Sequence, residues 1–145
     1  MKAQEELEQI LLDEAAIEGK CEQLVRLESL AMRMTATMEG EIVSRTRNND
    51  PLGTYEVQKE KLEKEIAQLQ EKNERRKEFL SGIIDSLRKP AYIKILYGLF
   101  FNGKDLTDVS DAIGYSYRHT QDLRDIAVQE VQKIMDEIET SHIIS

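Results

Sequence analysis

Residues 113–127 read IGYSYRHTQDLRDIA, and the rest of the chain can be read outward from them. Thr120, Leu123 and Ala127 recur at steps of three and four, the spacing that gathers side chains on one face of a helix. The opposite face holds Tyr117, Arg118, His119, Gln121 and Asp122, not the glutamate and lysine that fill the chain's other polar faces. Gly114 tolerates the left-handed backbone that ends a preceding helix. Ser116 suits the N-cap of the next one, which continues through Val131, Ile134 and Ile138. The stretch predicts a tight junction between two helices.

Upstream, Thr107 is expected to cap a short helix over 108–113 that buries Val109, Ala112 and Ile113. The segment FNGKD, 101–105, breaks the chain before it. Earlier still, RKP at 88–90 closes one helix and opens another, because proline suits a first turn and not an interior. Ile93, Leu96, Tyr97 and Phe100 then fall at i, i+3, i+4 and i+7, an amphipathic helix of about three turns.

Three short helices, the last two joined by a glycine turn, predict a helix-turn-helix. In that arrangement the outward residues at the start of the second helix enter the major groove of DNA. The candidate contacts are Tyr117, Arg118, His119, Gln121 and Asp122, with Arg124 further along and Ser116 and Thr107 at the helix starts. Arg118 can fork onto guanine or pair with phosphate, and Gln121 can bond adenine twice. Asp122 can accept from cytosine, while Tyr117 and His119 can reach phosphates or thymine methyls. The bland alternative is a small helical module with an ordinary wet face.

Residues 1–87 read as an arm. Leu7, Ile10, Ile17, Cys21, Leu24, Ala31 and Met38 form a heptad-like seam interrupted by Glu14 and Glu28, and Leu27, Leu30 and Met34 widen it. RTRNNDPLGTY, 45–55, is the strongest turn signal in the chain, placing a loop near 46–54. A second long helix from about Thr54 to Leu87 has its seam at Leu62, Ile66, Leu69, Asn73, Arg76, Leu80, Ile83 and Leu87. Its two polar members cost stability and can set register. The expected architecture is all-α: a long antiparallel helical hairpin, the coiled-coil-like arm of 1–87, followed by a helix-turn-helix domain of 88–140 and a tail of 141–145. The arm seam can also be closed by a second chain, because one helical pair buries little by itself.

Charge separates the same two parts. The net charge of −8 argues against coating nucleic acid by bulk attraction. Residues 1–87 hold 13 basic and 19 acidic groups, while 88–135 hold 7 and 6, so the middle segment is near neutral. The single cysteine, Cys21, has no internal partner, which points to a reducing cytoplasm. On the seam it is read as packing, as are Met32, Met34 and Met38 in preference to an adaptable docking surface. The N-terminus is too acidic for a signal peptide, and the most apolar stretch, AYIKILYGLFF, is about half a membrane span. A cytoplasmic protein with no membrane association is expected. His119 and His142 lack partners at metal-ligand spacing. No phosphate-cradling loop or nucleophile–base pair is present, so neither an enzyme nor a cofactor is expected.

The segment LTDVSDAIGYSYRHTQDLRDIAVQEV resembles region four of the bacterial sigma-70 class, which usually reads L-T-x-x-E-I-A-x-x-L-G-x-S-x-x-x-V. Thr107, Val109, Ala112-Ile113-Gly114, Ser116, Thr120, Leu123, Ala127 and Val128 fall on the motif. With KPAYIKILYGLF, GYSYR and the heptad-bearing arm, the whole chain is similar to small phage and prophage proteins with an N-terminal coiled coil and a sigma-like C-terminal helix-turn-helix. Late-transcription activators of the ArpU and RinA type share this plan. The C-terminal match covers about 45 residues, whereas the arm matches mostly by pattern. The resemblance implies a phage-type transcription regulator that reads double-stranded DNA as a homo-oligomer joined through its arm. RNA polymerase is a further candidate partner. The alternative is a protein-interaction module that docks on polymerase or another regulator without reading DNA. The chain departs from the motif at Val109-Ser110, where a glutamate–isoleucine pair is usual. It also has Tyr117, His119, Gln121 and Asp122 where region four carries arginines. Fewer phosphate contacts imply weak unassisted DNA binding.

Overall fold

The computed structural model describes residues 1–40 and 51–144. Among them the chain is all-helical: α1 (Ala3–Gly40), α2 (Pro51–Ser86), α3 (Pro90–Leu96) running on into a π-helical turn (Tyr97–Phe101), α4 (Leu106–Ile113) and α5 (Tyr117–Ile144). Most of the loop expected near 46–54 lies outside the described residues. Helix α2 begins at Pro51 and not at Thr54, with proline at the first helical position, where its missing N–H costs nothing. Residues 141–144 of the segment expected to be a tail form the last turn of α5, which runs to Ile144.

The chain divides into two compact units. One comprises Met1–Asp13 with Asn73–Ser145, the other Glu14–Lys72.

In the first unit, α1 and α2 pack antiparallel. Ala3, Leu7 and Ile10 of α1 meet Leu80, Ile83 and Ile84 of α2, Leu96 and Phe100, and Ala127, Val131 and Met135 of α5 in one hydrophobic core. Ile84 was not on the expected seam of the second helix; it falls one position beyond Ile83 and broadens the stripe. The two polar seam positions are buried as the heptad places them. Asn73 Nδ2 donates to the Ile10 carbonyl at 3.3 Å, while its Oδ1 is buried without a partner. Arg76 donates to Glu6 at 2.9 Å and to Asp13 at 2.6 Å. Burial alone would pull this guanidinium down, but the bonds to the two carboxylates outweigh it and hold the group above its ordinary value.

In the second unit the antiparallel pairing continues. Lys20 bonds Glu65 at 2.8 Å, which keeps that carboxylate below its ordinary range. Only Ala31 and Ile66 are buried there among the described apolar residues, with Ile17, Leu24, Leu27, Met34, Leu62 and Leu69 half-buried. Three expectations are corrected. Cys21 is exposed, not on the seam, because the buried stripe swings past it through Ile17, Lys20 and Leu24. Met32 is 74% exposed, and Leu30 is also exposed. The Met38 side chain lies outside the described residues.

The shorter helices complete the first unit. Helix α2 stops where Leu87 N donates to Ile84 O and Arg88 takes a φ of 55°, a left-handed backbone. In the π-helical turn the Asn102 amide reaches five residues back to the Tyr97 carbonyl at 2.9 Å. Gly98 is buried against α4, and a Cβ there would sit 2.9 Å from Val109 Cγ2. Glycine is what lets the two elements come this close.

Candidate functional site

Helix α4 is capped at its start by Asp105, whose Oδ1 accepts from Asp108 N at 2.8 Å. Thr107 is therefore not the cap. It is exposed on the first turn of a helix that starts two residues earlier than expected. The two-residue shift rotates the buried face. Leu106, Val109 and Ser110 are buried, whereas Ala112 is exposed and Ile113 half-buried. Ser110 can occupy a buried position because its hydroxyl donates to the Leu106 carbonyl at 2.7 Å.

The turn is built as Gly114 and Ser116 predict. Gly114 has a φ of 78°, and the amides of Gly114 and Tyr115 both reach the Ser110 carbonyl, at 2.9 and 3.1 Å. Ser116 Oγ accepts from His119 N at 3.1 Å, capping α5. On the inner side Thr120 is fully buried, and its hydroxyl donates to the Ser116 carbonyl at 2.9 Å. Ala127 and Val131 continue that inner stripe into the core. The start of α5 is thus fixed from within and held at a glycine turn.

Opposite Thr120, the first turns of α5 are open. Tyr117 is 53% exposed, and Arg118, His119, Gln121 and Asp122 are all exposed. Arg118 makes no ion pair among the described residues. Tyr115, absent from the expected set, is 43% exposed, and its ring meets that of His119 edge-on with centroids 5.0 Å apart. Tyr115 precedes the Ser116 cap and stands outside α5, so helical spacing gave no signal for this contact. Comparison with family models, with curated proteins and with solved structures gave no match.

The structure brings Ser116, Tyr117, Arg118, His119, Gln121 and Asp122 together and adds Tyr115. It does not gather all eight candidates. Thr107 lies roughly 9 Å along α4 from the turn. Arg124 is half-buried, and its Nε and Nη2 donate to Asp125 Oδ1 at 3.1 and 3.0 Å, so a local carboxylate offsets its charge. Asp122 and Asp125 share the outward side of α5 with Arg118. Among the described residues no group of His, Cys, Asp and Glu is arranged to hold a metal ion. No described helix is long and apolar enough to cross a membrane.

Proposed function

We propose that the chain is a DNA-binding transcription regulator of the sigma-like phage type, with α4 and α5 as a helix-turn-helix and the start of α5 in the major groove. One observation carries this reading. Tyr117, Arg118, His119 and Gln121 stand exposed on a helix whose other side is pinned by Thr120, Ala127 and Val131. A rigid helix start with free side chains able to fork onto base edges is what direct readout needs. The second unit supplies a reason to expect a homodimer. Its helical pair leaves Val25, Leu30, Met32 and Val57 exposed. A second copy covering them would double the number of DNA contacts.

The test is selection of bound fragments from random duplex DNA by the full chain at low salt. One enriched sequence is expected. Arg118→Ala and Gln121→Ala should each weaken it by about 1–3 kcal/mol with the melting temperature unchanged. Absence of any enriched sequence would remove the reading.

The carboxylates of the same face favour a second one. Asp122, Asp125 and the offset charge of Arg124 make this side a poor partner for phosphate. A module that docks on RNA polymerase or another regulator would tolerate them. Protein binding that persists at high salt, with no protected DNA, is the outcome that would select it.

A further inference from the structure

A groove of about 400 Å³ opens in the first unit, lined by α3, the π-helical turn, the loop that follows it and α4. Ile93, Val109, Ala112 and Ile113 supply apolar surface, and Gly98 leaves backbone where a side chain would otherwise stand. The Tyr97 ring forms a wall already in place. Its hydroxyl donates to Asp85 at 2.8 Å, and its ring meets Phe101 edge-on with centroids 4.8 Å apart. Burial, opposed by Ser81 and reinforced by Asp85, holds that phenol above its ordinary range, so it stays neutral.

The polar lining is one-sided. Lys94, Lys104 and the Asn102 amide border the groove, and among the described residues no carboxylate lines it. Neither lysine makes an ion pair among the described residues. On a chain of net charge −8, two unpaired ammonium groups beside apolar surface are a local reversal. Size, apolar walls and a few convergent polar groups match the general form of a small-molecule site. A bare inorganic anion would lose hydration against Ile93 and Val109 with little return. An uncharged apolar molecule would leave the two lysines unused.

We infer that this groove binds a small amphipathic carboxylate, its aliphatic or aryl body on Ile93, Val109 and Ile113 and its head at Lys94 and Lys104. The inference does not rest on the DNA reading, since no residue of the exposed α5 side takes part. Helix α4 is nevertheless shared: Val109, Ala112 and Ile113 line the groove, and Ser110 between them accepts the amides of the turn into α5.

The test follows backbone and side-chain amide signals of the isotope-labelled full chain during titration with octanoate. Octanol, which has the body without the charge, and acetate, which has the head without the body, serve as comparisons. Octanoate should shift Gly98, Asn102, Lys104, Ala112 and Ile113, with a Kd on the order of 1 mM for so small a ligand. It should bind at least about tenfold more tightly than either comparison compound. Replacing both exposed lysines, Lys94→Gln with Lys104→Gln, should bring octanoate down to the octanol response. Ala112→Phe, also at an exposed position, should fill the groove and abolish the shifts. Equal responses to octanoate and octanol would overturn the inference, as would shifts that map elsewhere or octanoate binding that survives the lysine changes. No DNA enters the experiment, so its failure and that of the DNA reading are separate results.

Discussion

Arg76 and Asn73 occupy heptad positions where leucine would pack without penalty, and each is held differently. Arg76 is satisfied by two carboxylates, Glu6 and Asp13, on the facing helix. Removing the arginine takes the cationic partner from Asp13, which is itself buried, and leaves it the bond from Gln9 at 2.7 Å. Arg76→Leu is therefore expected to destabilise by about 3 kcal/mol, at the lower end for a broken buried pair because Glu6 reaches solvent. Asn73 has spent one donor on Ile10 and left Oδ1 unsatisfied. Asn73→Leu removes an unpaired buried carbonyl and should stabilise by about 1 kcal/mol. Urea unfolding of the two variants gives opposite signs from neighbouring seam positions. Equal destabilisation would show that volume, and not hydrogen-bond balance, governs this part of the core.

At the scale of the element, the start of α4 decides which of its side chains meet the core. Capping at Asp105 brings Leu106 into the helix and lays Val109 and Ser110 inward. Asp105→Ala should cost about 1 kcal/mol, the usual loss of a helix cap, whereas Thr107→Ala should stay within about 0.5 kcal/mol as an ordinary surface change. Thermal unfolding of the two single variants distinguishes the caps directly. Asp105 and Thr107, two positions apart, both carry side chains able to cap a helix start. Local propensity ranks aspartate and threonine close together. What separated them was the need to bury Leu106. The turn at Gly114 and Ser116 was legible because only glycine takes that φ readily and only Ser116 stands where the cap oxygen is required.

At the scale of the molecule, the second unit has the least buried apolar surface to stabilise it. A helical pair with only Ala31 and Ile66 buried relies on further contacts for stability. Light scattering of the full chain is expected to report a dimer, and Val25→Glu combined with Met32→Glu to report a monomer. Both residues are already exposed within the chain, so these substitutions should leave the first unit folded. A monomeric wild-type chain would place all DNA recognition on a single copy of α5. It would also leave the exposed methionine and valine without a role in assembly.

The period of the apolar residues determined that this chain is helical and that two long helices carry seams able to pair, and Gly114 marked the turn that precedes α5. Each follows from spacing along a single helix, or from a backbone conformation that few residues adopt. Only tertiary packing decided that Met1–Asp13 shares a core with α5, that Cys21 and Met32 face outward, and that Tyr115 meets His119. These depend on which of two adjacent stripes is covered, and heptad and helical periods differ too little over a few turns for sequence to choose. The lysine-bordered groove was illegible for the same reason: Lys94 lies on α3 and Lys104, ten positions on, in the loop before α4, and only the packing of α4 over the π-helical turn makes them neighbours of one cavity.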